Sequence, residues 1–102
     1  LRPLKKMNPG DINDRIVAAI AIAFKEPKAV ASLVDEKTGV TYGVSFTDRR
    51  ILKISVGNGA KRHINSLLAF LSPQIGEPSK MYVKESSLYS GQMISYMEWA
   101  NR

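Results

Sequence analysis

From Asp11 onward, apolar residues recur at helical spacing. Ile12, Ile16, Ala19, Ile20, Ala23 and Phe24 fall on one face of a helix expected from about Ile12 to Lys25. Asp11 is the expected N-cap, and Asp14 stands at the third helical position, where a carboxylate suits the helix dipole. Val17, Ala21 and Ile22 carry the apolar surface onto the flanks and back. A helix of that kind is expected to be buried on more than one side, as a central helix or at a homo-oligomer contact. Pro27 ends it.

The period then changes to two. Val40, Tyr42, Val44 and Phe46 alternate with Thr41, Gly43 and Ser45, the pattern of a half-buried strand. Ala29 to Val34 precedes it across Asp35-Glu36-Lys37-Thr38-Gly39, which predicts a hairpin closed by a glycine-bearing bulge. Gly43 in mid-strand points to a bulge or a close backbone approach. After the polar turn Thr47 to Arg50, Ile51 to Val56 predicts a third strand, with Leu52, Ile54 and Val56 on one face and Lys53 and Ser55 on the other.

Gly57-Asn58-Gly59 breaks that strand. A second helix is expected from about Ala60 to Leu71, with Ile64, Leu67, Leu68 and Leu71 as its core stripe and Pro73 as its stop. Met81 to Lys84 predicts an edge-like fourth strand. A last helix is expected from about Leu88 to Asn101, with Tyr89, Met93, Tyr96, Met97 and Ala100 on one side. The expected fold is α+β: a mainly antiparallel, three- to four-stranded sheet with helices packed on it, in the order α-β-β-β-α-β-α. Residues 11–102 are expected to form one compact domain, preceded by a basic, flexible arm over residues 1–10.

A length of 102 residues leaves no room for a second core. The longest apolar run, Ile16 to Phe24, falls short of the about 20 residues a membrane span needs. No membrane partner is expected, and the cytoplasm is the favoured location. The chain has no cysteine and a single histidine, His63, so thiol chemistry is excluded and a zinc site is not expected. Asp35-Glu36, the only adjacent acidic pair, lies in a turn and reads as a solvated hairpin tip. The opening order of helix, hairpin and helix is similar to that of the zinc deaminases. Those enzymes require His-x-Glu and Pro-Cys-x-x-Cys, whereas the corresponding stretch here is His63-Ile64-Asn65, which excludes their activity. No cofactor motif is present.

The net charge of +6 and pI near 9.8 favour a polyanionic partner, RNA before DNA, or an acidic protein surface. No helix-turn-helix pattern or basic recognition helix stands in the chain, which disfavours sequence-specific reading of duplex DNA. One place breaks a local rule. Lys61, Arg62 and His63 open the second helix, where the dipole disfavours cations by about 0.3–1 kcal/mol each. A phosphate held by Asn58, Gly59 and the exposed N–H groups of the helix start would compensate. Arg49 and Arg50 lie roughly 20 Å away, at about 3.3 Å per strand residue, with Lys53 between. The expected phosphate-binding stripe is therefore Arg49, Arg50, Lys53, Asn58, Gly59, Lys61 and Arg62, helped by Lys5 and Lys6. Tyr42 and Phe46 are expected in the core rather than stacking on bases. Two alternatives stand beside this one: a metal-independent ribonuclease using His63 with Lys61 and Arg62, and a subunit module making contact through its first or last helix.

Overall fold

Asp11 caps the first helix, α1 (Ile12–Lys25), accepting a hydrogen bond from the Asn13 N–H at 2.8 Å. The structure, a computed structural model, describes residues 11–26, 30–47, 50–84 and 94–100. The expected arm over residues 1–10, with Lys5 and Lys6, lies outside the described residues, as do Arg49 and Leu88 to Met93.

Three strands follow α1: β1 (Val30–Val34), β2 (Thr41–Phe46) and β3 (Ile51–Gly57). The β1–β2 hairpin closes as its sequence predicts. The Gly39 N–H donates to the Asp35 carbonyl at 2.7 Å, the Asp35 N–H donates to the Val40 carbonyl at 2.9 Å, and Gly39 takes the left-handed φ of 75° that a glycine bulge requires. The β2–β3 hairpin uses the same device with an unusual residue. The Arg50 N–H donates to the Thr47 carbonyl and the Thr47 N–H to the Ile51 carbonyl, which places Arg50 at the bulge with φ 59°.

Helix α2 (Lys61–Ile75) runs past the expected stop at Leu71, with Pro73 inside it. Pro73 and Ala69, whose carbonyl loses its usual donor, both face solvent. The Gln74 side-chain amide donates to the Phe70 carbonyl at 2.9 Å, covering a second group beside the proline ring. Those two facts lower the cost of an interior proline. Continuation also brings Ile75 against the core. Gly76, at φ 86°, ends the helix.

Strands β4 (Lys80–Tyr82) and β5 (Ile94–Ala100) complete the sheet, whose order is β1-β2-β3-β5-β4 with every pairing antiparallel. The α+β class and the first six elements are those expected. The sheet has five strands rather than three or four, and residues 94–100 form a strand, not a helix. Ser95, Met97 and Trp99 are buried while Ile94, Tyr96, Glu98 and Ala100 face the other way, so the stretch carries strand alternation beneath its apparent helical spacing. β3 would otherwise leave its second row of backbone groups unpaired beside the core, and β5 fills it.

Register puts Tyr42, Val44 and Phe46 beside Leu52, Ile54 and Val56, and these beside Met97 and Trp99. All are buried in one cluster with Ile16, Ala19, Ile20 and Ala23 of α1 and Ile64, Leu67 and Leu71 of α2. Both helices therefore cover the same face. α1 is buried on one side only, and its back leaves Ile22 half-exposed, so the expected central helix is not found. Gly43 pairs regularly with Ser32 and Ser55 and makes no bulge. The second face of the sheet carries no described helix.

Candidate functional site

Alternation assigns every strand residue to a face. Opposite the helices, one cross-strand row reads Ser32, Gly43, Ser55, Tyr96 and Tyr82, and the next reads Val30, Ser45, Lys53, Glu98 and Lys80. Its β1–β3 part carries no aromatic residue in these two rows. Beyond them, Tyr82 and Tyr96 stack with ring centroids 5.6 Å apart and planes inclined by 23°. The Lys53 Nζ lies 4.9 Å from the Tyr96 ring centroid and the Lys80 Nζ 5.8 Å from it, within the range of cation–π attraction. Glu98 stands between the two lysines in the row, so the row keeps a net positive charge.

The stripe expected from the sequence is not gathered on this face. Among its described residues, Lys53 alone belongs to it. Arg50 sits at the β2–β3 turn, beside a half-open cavity of about 250 Å³ lined by Phe24, Phe46, Leu52, Ile75 and Trp99. Within this cavity Phe24 and Phe46 hold their ring centroids 4.7 Å apart, and Trp99 donates from its indole N–H to the Gly76 carbonyl at 2.8 Å. Asn58, Gly59, Lys61 and Arg62 lie at the other end of β3, on the helix side. Strand direction separates the two groups, because β3 runs between them.

The helix start has a structural account of its own. The Ala60 N–H donates to the His63 Nδ1 at 2.9 Å, the reach-back half of a capping box. His63 therefore accepts at Nδ1 and relieves one orphan donor of α2 without any ligand. Asn58 adopts φ 60°, a left-handed conformation that asparagine tolerates. Gly59 is buried, and a Cβ there would stand 2.7 Å from Val56 Cγ1, so glycine is required by the close pass of the turn over the core. A Cβ on Gly57 would run into the Thr41 side chain, whose hydroxyl donates to the Gly57 carbonyl at 3.4 Å. Packing accounts for the two glycines and the capping hydrogen bond for His63, while Lys61 and Arg62 remain at the start of α2 with no acidic residue in its first turn.

Tyr42 and Phe46 are core residues, as expected. Burial, and secondarily the charge of Asp35, hold the Tyr42 phenol above its ordinary pKa of 10.0. The aromatic residues of the open face, Tyr82 and Tyr96, are absent from the sequence-derived site, because a helical reading of the tail turns Tyr96 toward the core. The signal that could have found them is the alternation of Ser95, Met97 and Trp99, which leaves Tyr96 on the opposite side, next to Lys80-Met81-Tyr82.

Among the described residues, no group of three or more His, Asp or Glu stands where it could hold a metal ion, and no helix is long and apolar enough to cross a membrane. Comparison with known proteins gives no match: no family model, curated protein or solved structure is similar to the chain.

Proposed function

We propose that the open face of the sheet binds single-stranded nucleic acid, RNA in preference to DNA, without catalysing a reaction on it. The observation that carries this reading is the Tyr82–Tyr96 stack, with the Lys53 and Lys80 ammonium groups over the Tyr96 ring, on the face opposite both helices. Exposed aromatic rings on a sheet offer sequence-tolerant stacking to unpaired bases, at about 1–3 kcal/mol per base, and flanking lysines neutralise the phosphates between them. The hydroxyls of Ser32, Ser45 and Ser55 share the face and match the ribose 2′-OH as hydrogen-bond partners. The exposed side of α2 bears Asn65, Ser66, Ala69 and Pro73 after its first turn, which is unlike a helix that reads a major groove.

The test is fluorescence anisotropy of a labelled oligouridine and its DNA counterpart, with duplex controls. Binding to single-stranded RNA is expected to weaken about tenfold or more in Tyr96→Ala, on the scale of one lost stacking contact. It should also weaken in Lys53→Glu and hold in Arg62→Glu. Loss in Arg62→Glu with retention in Tyr96→Ala would return the site to the start of α2. Absence of binding at low salt would end the reading. The ribonuclease alternative is tested by RNA cleavage in a chelator. The capping task of His63 supports a His63→Ala protein that is destabilised by about 1 kcal/mol but unchanged in any effect on RNA.

A further inference from the structure

The two edges of the sheet are unequal. β4 is three residues long and opens on Lys80, so shortness and a charge protect that edge against further pairing. β1 reads Val30-Ala31-Ser32-Leu33-Val34, with no charge and no proline, and Val30 and Val34 are 68% and 48% exposed. An uncharged, five-residue edge of this kind is a template for strand addition.

The phase of the ladder fixes which backbone groups are on offer. The Asp35 N–H donates to the Val40 carbonyl, so Asp35 points into β2. Polarity alternates along an antiparallel strand, so Leu33 and Ala31 also point into β2, whereas Val34, Ser32 and Val30 point outward. The Val34 carbonyl agrees: it accepts from the Arg15 Nη1 at 3.0 Å, from outside the β1–β2 ladder. Val30, Ser32 and Val34 also share the open face by register.

We infer that β1 pairs with β1 of a second copy of this chain, antiparallel about a two-fold axis at Ser32. That register sets Ser32 against Ser32 and Val30 against Val34 in both directions, with the Val34 carbonyl accepting on its second lone pair beside the hydrogen bond from Arg15. Shifting the axis to Ala31 or Leu33 loses a pair. The same register lays the exposed Val30 beside the exposed Val34 of the other copy, twice. The outcome is a continuous ten-stranded sheet, two five-stranded sheets joined edge to edge, with all helices on one side. Each copy carries a net charge of +6, which opposes association at low salt and is screened as salt rises. This inference does not rest on the nucleic-acid reading, and the two respond to salt in opposite directions.

Sedimentation equilibrium of the nuclease-treated chain is expected to show a monomer–dimer equilibrium that shifts toward dimer with added salt. Ser32→Pro removes only an outward N–H, which an edge strand tolerates. It should give a monomer with an unchanged circular dichroism spectrum, as should Val30→Lys. The chain has no cysteine, so single-cysteine variants read the register. Cα atoms of a hydrogen-bonded pair stand about 5.5 Å apart, within disulfide reach. Ser32→Cys should therefore cross-link under mild oxidation. Val30→Cys should not, because it stands four residues, about 13 Å, from its own counterpart. A chain that stays monomeric at high salt, a dimer that survives Ser32→Pro, or equal cross-linking of both cysteine variants would each overturn the inference.

Discussion

Arg50 occupies a position that most proteins give to glycine. In the bulge of the β2–β3 hairpin it holds φ at 59°, where an L side chain crowds its own backbone. The hydrogen bond it makes in the turn is through its backbone N–H, which any residue but proline supplies. Arg50→Gly is therefore expected to raise stability by about 0.5–1 kcal/mol, the strain released less the added freedom of the unfolded chain, as read by urea denaturation. Tyr42 makes a second prediction at this scale. Its phenol is held above 10.0 by burial first and by Asp35 second, so the folded protein keeps that proton more tightly than the unfolded chain. The associated stabilisation is complete below about pH 10 and is lost as pH rises through the raised folded value. Tyr42→Phe should remove that component, making the fall in stability between about pH 8 and about pH 11 shallower than in the parent.

At the scale of elements, local pattern and tertiary demand agree over most of the chain and part company at its tail. α1 and the β1–β2 hairpin are legible because each has both a period and a terminator: Asp11 as cap, Gly39 as bulge. β5 has a period that fits two structures. Tyr89, Met93, Tyr96, Met97 and Ala100 fit a helix, while Ser95, Met97 and Trp99 fit a strand, and only the open edge of β3 decides between them. Met97 belongs to the core under both readings, but only the strand seats it between Ile54 and Met81. It is 1% exposed, so Met97→Ala is expected to cost about 2–5 kcal/mol. Hydrogen exchange should show the amides of β5 among the slowly exchanging ones, as fits a strand paired on both sides.

The described residues form two layers, a five-stranded sheet and the two helices on one of its faces. Helices cover one face of the sheet, and the described residues leave the other to solvent, with its aromatic rings and lysines on the β3–β5–β4 side. The charge of +6 is global and unspecific, whereas Lys53 and Lys80 put part of it on the open face. If Lys53, Lys80 and one further cation meet the backbone of a single strand, log K should fall with log salt with a slope of about −2, at about −0.7 per phosphate neutralised. A slope near zero would mean that stacking or protein contact, not phosphate neutralisation, carries the binding. With one of the three contacts removed, the slope should fall to about −1.4 in Lys53→Ala.

The sequence by itself determined what depends on neighbours in the chain: α1, the β1–β2 hairpin and its glycine, the alternation of β2 and β3, and the absence of thiol and zinc-thiolate chemistry. It placed Tyr42, Phe46 and Ile54 in the core because alternation is a local property. It left the site scattered, since Arg50, Lys53 and Lys61 are close in sequence yet end up at a turn, on the open face and on the helix side. Tertiary structure decided what depends on distant partners. It extended α2 through Pro73 because Ile75 had a core to meet. It made residues 94–100 a strand because β3 lacked a neighbour. By turning that strand it set Tyr96 against Tyr82 and Lys53, three residues whose meeting is written in the register of the sheet and in no local pattern.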